Sequence, residues 1–151
     1  MVTSTVPVEL LKRCVHLQDL TRDALAKLAA IAEDTIVNSG TKVIEDMDPA
    51  DNLYLLVKGE VNICCELGSG EIRVMDTVGE GELFAWSALV EPFRYTSTAI
   101  AATDCELIAF DARRLRAMCE QDLDLGYQVL TRIVTLLTNR LESVRVQLAA
   151  S

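Results

Sequence analysis

This 151-residue chain has a single histidine, no stretch of eighteen apolar residues and no basic patch. Each shortage removes a class of function. A metal enzyme on a small β barrel usually recruits two or more histidines with a carboxylate, and His16 alone cannot supply that set. Its apolar surroundings favour a structural histidine over a haem ligand. Without a long apolar run, no membrane span is expected. The opening MVTSTVPVELLKRC lacks the basic residues and apolar run of a signal peptide, so a cytoplasmic protein is expected. The net charge is −9, and the only basic cluster, Arg113, Arg114 and Arg116, is flanked by Asp111 and Glu120. Such a surface repels phosphate backbones and anionic lipid heads. The five cysteines are odd in number and scattered. Neighbours such as Cys64 and Cys65 point to opposite faces of a strand, so reduced, mostly buried thiols are expected rather than an iron–sulfur site.

What is present is an ordinary globular composition, half apolar and a quarter charged, at a length suited to one domain with a proper core. Residues 1–151 are therefore expected to form a single domain, with N-terminal helices over 8–33, a barrel over 35–110 and C-terminal helices over 111–149. From Thr21, a candidate N-cap, Leu25, Leu28, Ala29 and Ala32 recur at helical spacing to about Glu33. Turn residues at Asn38-Ser39-Gly40 and Asp46–Pro49 bracket a short strand over 41–45. Leu53–Val57 is an apolar run too short for a helix. Val61, Ile63, Cys65 and Leu67 then alternate with polar or small neighbours, as in a half-buried strand. After the Gly68-Ser69-Gly70 turn, Ile72, Val74 and Val78 continue the alternation on a return strand. Two more strands are expected over 96–102 and 105–110. Short strands at such close, regular spacing predict an antiparallel barrel or jelly roll.

Asp111 is placed to cap a short helix, and a long one follows from about Asp122. In the long helix Leu123, Tyr127, Leu130, Val134, Leu137, Leu141, Val144 and Leu148 alternate by four and three, an unbroken heptad seam. Roughly 27 residues make a rod of about 40 Å. Leu125, Val129, Ile133 and Leu136 add a second stripe. Two stripes ask for two partners: one faces the barrel, the other a second subunit.

The segment SGTKVIEDMDPADNLYLLVKGEVNI, then GEGELFAWSALV, then the long apolar helix resemble the cyclic nucleotide-binding domain family over roughly Leu10 to Leu148. The resemblance implies a mainly β fold with flanking helices: a double-stranded β-helix jelly roll, cupin-like, with the ligand inside the barrel and a long C-terminal dimerisation helix. A cyclic phosphate wants backbone N–H groups and an arginine, and a ribose hydroxyl wants a buried carboxylate. The family supplies these from a cassette reading Phe-Gly-Glu-x-Ala/Ser-Leu and an arginine some nine residues after the Glu. On that register Phe84 matches, Ala85 stands for the glycine and Trp86 for the Glu; Ser87, Ala88 and Leu89 follow, and Tyr95 falls at the arginine, followed by Thr96 and Ser97. Met47 replaces an earlier turn glycine. The implied ligand-binding residues are thus Gly81, Glu82, Leu83, Phe84, Ala85, Trp86, Ser87, Ala88, Arg94, Tyr95, Thr96 and Ser97. Arg94 points inward only if the loop holding Pro92 is one residue short; otherwise alternation turns it out.

Losing the charge partner of a buried phosphate costs about 2–5 kcal/mol, and losing the ribose acceptor adds about 1–3 kcal/mol. Together these turn a micromolar site into a millimolar one. The expectation is a non-catalytic, small-molecule-sensing regulatory domain with altered or weak cyclic nucleotide binding, signalling through a homodimer to a downstream protein. No cofactor is expected beyond a cyclic nucleotide or another small ligand. Two alternatives stand beside it: the sensor part of a catabolite-activator-type regulator without its helix-turn-helix, and a dimeric interaction module with a closed pocket. Since the chain stops at Ser151, a few residues past the last heptad position, no recognition helix and no DNA binding are expected.

Overall fold

The computed structural model describes residues 6–150; residues 1–5 and Ser151, which the single-domain expectation includes, lie outside the described residues. Two short helices, α1 (Val8–Leu11) and α2 (Arg22–Ala30), lead into eight strands. These are β1 (Ala32–Val37), β2 (Lys42–Ile44), β3 (Asn52–Lys58), β4 (Val61–Glu66), β5 (Ile72–Val78), β6 (Leu83–Phe84), β7 (Thr98–Ala101) and β8 (Cys105–Asp111). A 3-10 turn, Trp86–Leu89, sits between β6 and β7, and α3 (Ala112–Gln121) and α4 (Leu123–Ala150) close the chain. The strands form two four-stranded sheets, ordered β1-β8-β3-β6 and β2-β7-β4-β5, with every pairing antiparallel. The fold is the jelly roll with flanking helices that the strand spacing predicts.

Two apolar layers hold it together. Leu53, Leu55 and Val57 of β3 and Ile108 and Phe110 of β8 pack with the helices, among them Leu25 and Leu28 of α2 and Leu125, Val129, Ile133 and Leu136 of α4. Leu56 and Leu107, on the opposite faces of the same two strands, pack between the sheets with Val61, Val78, Phe84 and Tyr95. A strand buried on both faces cannot alternate, which explains the continuous run over Leu53–Val57.

Helix starts follow their caps. The Thr21 hydroxyl accepts from the Ala24 N–H at 3.2 Å, the Asp111 carboxylate from the Arg114 N–H at 3.0 Å, and the Asp122 carboxylate from the Leu125 N–H at 3.1 Å. Asp122 also pairs with Lys27 of α2, and Gln128 of α4 accepts from the Thr21 N–H at 3.0 Å. These contacts tie α4 to the N-terminal helices.

Two expectations need correction. Helix α2 ends at Ala30, and Ala32 and Glu33 open β1 instead, paired with Phe110 and Ala109. Pairing with β8 overrides the local helical spacing. On β5 only Val78 is buried, while Ile72, Val74 and Met75 are exposed. That strand is the edge of its sheet, and its register shifts between Ile63 and Cys64 of β4. The shift breaks the phase of the alternation. All five cysteines are free thiols.

Helix α4 can lie against α3 because residue 126 is glycine. A Cβ there would sit 2.8 Å from the Cys119 carbonyl oxygen. Gly126→Ala gains about 1 kcal/mol of helix propensity, but overpacking at a backbone atom costs about 1–3 kcal/mol. The expected net loss is about 1 kcal/mol, read as a lower urea midpoint at unchanged m-value.

Candidate functional site

The site is a cavity of about 90 Å³ between the two sheets, lined by Ile44, Ile63, Asp76, Val78, Phe84, Ala85, Trp86, Ser87, Tyr95, Thr96, Ser97 and Arg140. Phe84 ends β6, held flat against Tyr54 of β3 with ring centroids 5.3 Å apart. The chain then turns through Ala85, whose φ is 69°. An L residue in that region carries a steric cost of about 1–2 kcal/mol, and this is the position where the resembling cassette has glycine. Met47, at the other substituted glycine position, also has a positive φ, 73°. The backbone keeps the shape of the glycine turns without the glycines.

Of the residues implied as ligand-binding, Phe84, Ala85, Trp86, Ser87, Tyr95, Thr96 and Ser97 share the cavity. The others do not line it. Leu83 faces the helical layer and Ala88 packs between the sheets. Gly81 sits in a turn with φ 84°, where a Cβ would approach the Arg13 carbonyl oxygen at 3.0 Å. Arg94 is turned outward, its guanidinium donating to the Met47 carbonyl at 2.9 Å. The chain here is no strand but an isolated bridge, Arg94 opposite Pro49, with Arg94 exposed and Tyr95 buried beside it.

Tyr95 does not offer its hydroxyl to the cavity. The phenol donates to the Asn52 carbonyl at 2.8 Å and accepts from the Asn52 N–H at 3.1 Å. It thereby clamps the start of β3. Burial pushes its pKa up to about 12, with the hydrogen bond to Asn52 pulling the other way.

The charge in the cavity comes from an element that sequence patterning overlooked. Arg140 reaches in from α4, its side chain 20% exposed, and donates to Asp76 Oδ2 at 2.6 Å and Glu82 Oε2 at 3.0 Å. Its Nε is enclosed with no hydrogen-bond partner. Glu82 in turn accepts from the Gly79 N–H at 2.6 Å. The signal for Arg140 was in the sequence: it lies four residues beyond Leu136 and continues the barrel-facing stripe. A charged residue at that spacing does not register in an apolar pattern. His16 lies outside the strands, half-buried, and burial lowers its pKa. Among the described residues no group of three His, Cys, Asp or Glu side chains is placed to hold a metal ion.

Comparison with known proteins places this geometry. The family model for the cyclic nucleotide-binding domain matches residues 35–122. The chain is 24% identical over 122 residues to a CRP-like cAMP-activated global transcriptional regulator of Mycobacterium tuberculosis, covering 81% of this chain and 54% of that protein. It thus spans about half the length of that relative. A crystal structure of a protein from Geobacter metallireducens superposes with a TM-score of 0.82 at 27% identity, over 90% of this chain and 98% of the other. A cyclic nucleotide-binding domain from Methylobacillus flagellatus superposes at a TM-score of 0.77, with 20% identity over 90% of this chain and 76% of that one.

Tyr95→Phe is expected to cost about 1–3 kcal/mol at neutral pH by leaving the Asn52 backbone groups without their partner. The raised pKa adds a pH signature. The folded state favours the protonated phenol, so that stability is fully present below pH 10 and lost as pH rises towards about 12. The gap between wild type and Tyr95→Phe in urea melts should hold steady up to pH 10 and narrow above it.

Proposed function

The chain belongs to the cyclic nucleotide-binding domain family, and on that premise we propose that it is a non-catalytic, ligand-sensing regulatory domain with weak cyclic nucleotide binding that signals through a homodimer. The observation that carries this reading is the filled cavity. Where the family places a carboxylate and an arginine, Trp86 and Tyr95 stand, and Tyr95 is committed to the Asn52 backbone. The remaining space, about 90 Å³, is below the roughly 300–1,000 Å³ of small-molecule sites. A nucleotide would have to displace side chains and then bind without its two usual polar anchors.

The dimer reading rests on α4. Its stripe at Leu125, Val129, Ile133 and Leu136 is buried on its own barrel, while all eight seam residues, Leu123 through Leu148, stay exposed. Burying one such side chain is worth about 1.5–3 kcal/mol. A second α4 in a parallel pair would cover the seam, joined by the knobs-into-holes packing that heptads specify.

Calorimetry with cyclic AMP and cyclic GMP should give dissociation constants above about 100 µM; a tighter value for the wild type would refute weak binding. Trp86→Glu, which restores an acceptor and leaves the Tyr95 clamp alone, should tighten cyclic AMP binding by roughly tenfold.

For the dimer, light scattering at tens of micromolar should report twice the chain mass. Leu137→Glu with Leu141→Glu should halve that mass and leave the β-sheet circular dichroism unchanged. A monomeric wild type would remove the dimer from the model.

A further inference from the structure

We propose that Arg140, carried on α4, is the anion-receiving group of this cavity, so that a phosphate ester entering it is met from the long helix and not from the strand after the 3-10 turn. The inference rests on the reading of the cavity as a ligand site. Arg140 is the one cation among the lining residues. The strand side has none to offer, since Tyr95 is bonded to Asn52 and Arg94 turns outward to Met47.

The guanidinium is only partly engaged. Its two terminal nitrogens hold Asp76 and Glu82, but the Nε–H is enclosed and lacks an acceptor. Buried donors are rarely left so, so the guanidinium keeps hydrogen-bonding capacity that an oxyanion in the cavity takes up as a charge-assisted bond once the side chain shifts towards it. The carboxylates are 46% and 35% exposed. Pairs open to water in this way are weak, so the two contacts do not lock Arg140 against such a shift.

As the cavity stands, two carboxylates outnumber one guanidinium, and that surplus opposes an anion. Asp76 and Glu82 therefore act as a brake on a receptor that is otherwise in place. Removing the brake should increase binding, and a gain cannot be explained by misfolding.

The experiment titrates the full chain with cyclic AMP and, as an uncharged control without the phosphate, with adenosine. Trp86 is the only tryptophan and lines the cavity, so its fluorescence reports occupancy, with calorimetry alongside. Asp76→Asn should tighten cyclic AMP binding at least tenfold and leave adenosine unchanged. Asn keeps the oxygen that accepts from the Thr77 N–H. Glu82→Gln, which likewise retains an acceptor for Gly79, should act in the same direction. Adding Arg140→Gln to either should abolish the gain. The proposal is overturned if neither variant gains affinity, if the gain survives Arg140→Gln, or if adenosine gains equally. Tight wild-type binding that disappears in Arg140→Gln would overturn the weak-binding reading and support the assignment of Arg140. Weak wild-type binding with no gain in either variant would do the reverse.

Discussion

The burial of Leu125, Val129, Ile133 and Leu136 against β3 and β8 sets the rotation of α4, and both the seam and the cavity depend on that rotation. At about 1.5–3 kcal/mol for each buried aliphatic side chain, this stripe outweighs any of the surface ion pairs around it, which contribute about 0–1 kcal/mol each. Once the stripe is seated, helical geometry leaves no freedom. Leu137 and Leu141 must face outward, and Arg140, one turn past Leu136, must face the barrel. Gly126 permits the seating by letting the helix lie close to the Cys119 carbonyl.

On the proposed reading, the cavity keeps the backbone of a binding scaffold while other residues stand at its anchors. Ala85 and Met47 hold left-handed conformations that glycine would adopt without strain. Hydrogen bonds hold Met47 on both sides: its N–H donates to the Tyr95 carbonyl at 2.9 Å and its carbonyl accepts from Arg94. Tyr95 holds the same region from inside through Asn52. On that reading, the position of a phosphate-binding arginine is taken by a residue of the frame. The one cation among the lining residues comes from α4, and two carboxylates pair with it. Pocket and seam therefore meet on one helix, with Arg140 between Leu137 and Leu141.

Much of this was legible in the residue order. The caps at Thr21 and Asp111, the strands from Asn52 to Glu66 and the two stripes of α4 follow from local chemistry and spacing, while the replacement of the charged anchors by Trp86 and Tyr95 is what the family resemblance implies. Where the reading failed, a nonlocal partner decided the outcome. Ala32 and Glu33 have helical spacing, yet β8 recruits them into β1. Ile72 and Val74 alternate as a buried strand should, but they lie on an edge beyond a register shift.

Residue order alone carries the strand spacing of the fold, the acidic charge and the amphipathic double face of the long helix. These are properties of composition and period, which each residue carries wherever it folds. Only the tertiary structure decided that Arg94 points out, that the Tyr95 hydroxyl serves the frame, and that Arg140 enters the cavity to face Asp76 and Glu82. Those facts join residues 43 to 64 positions apart. Contacts at such separations depend on how the sheets and helices pack, a three-dimensional arrangement that no local period encodes.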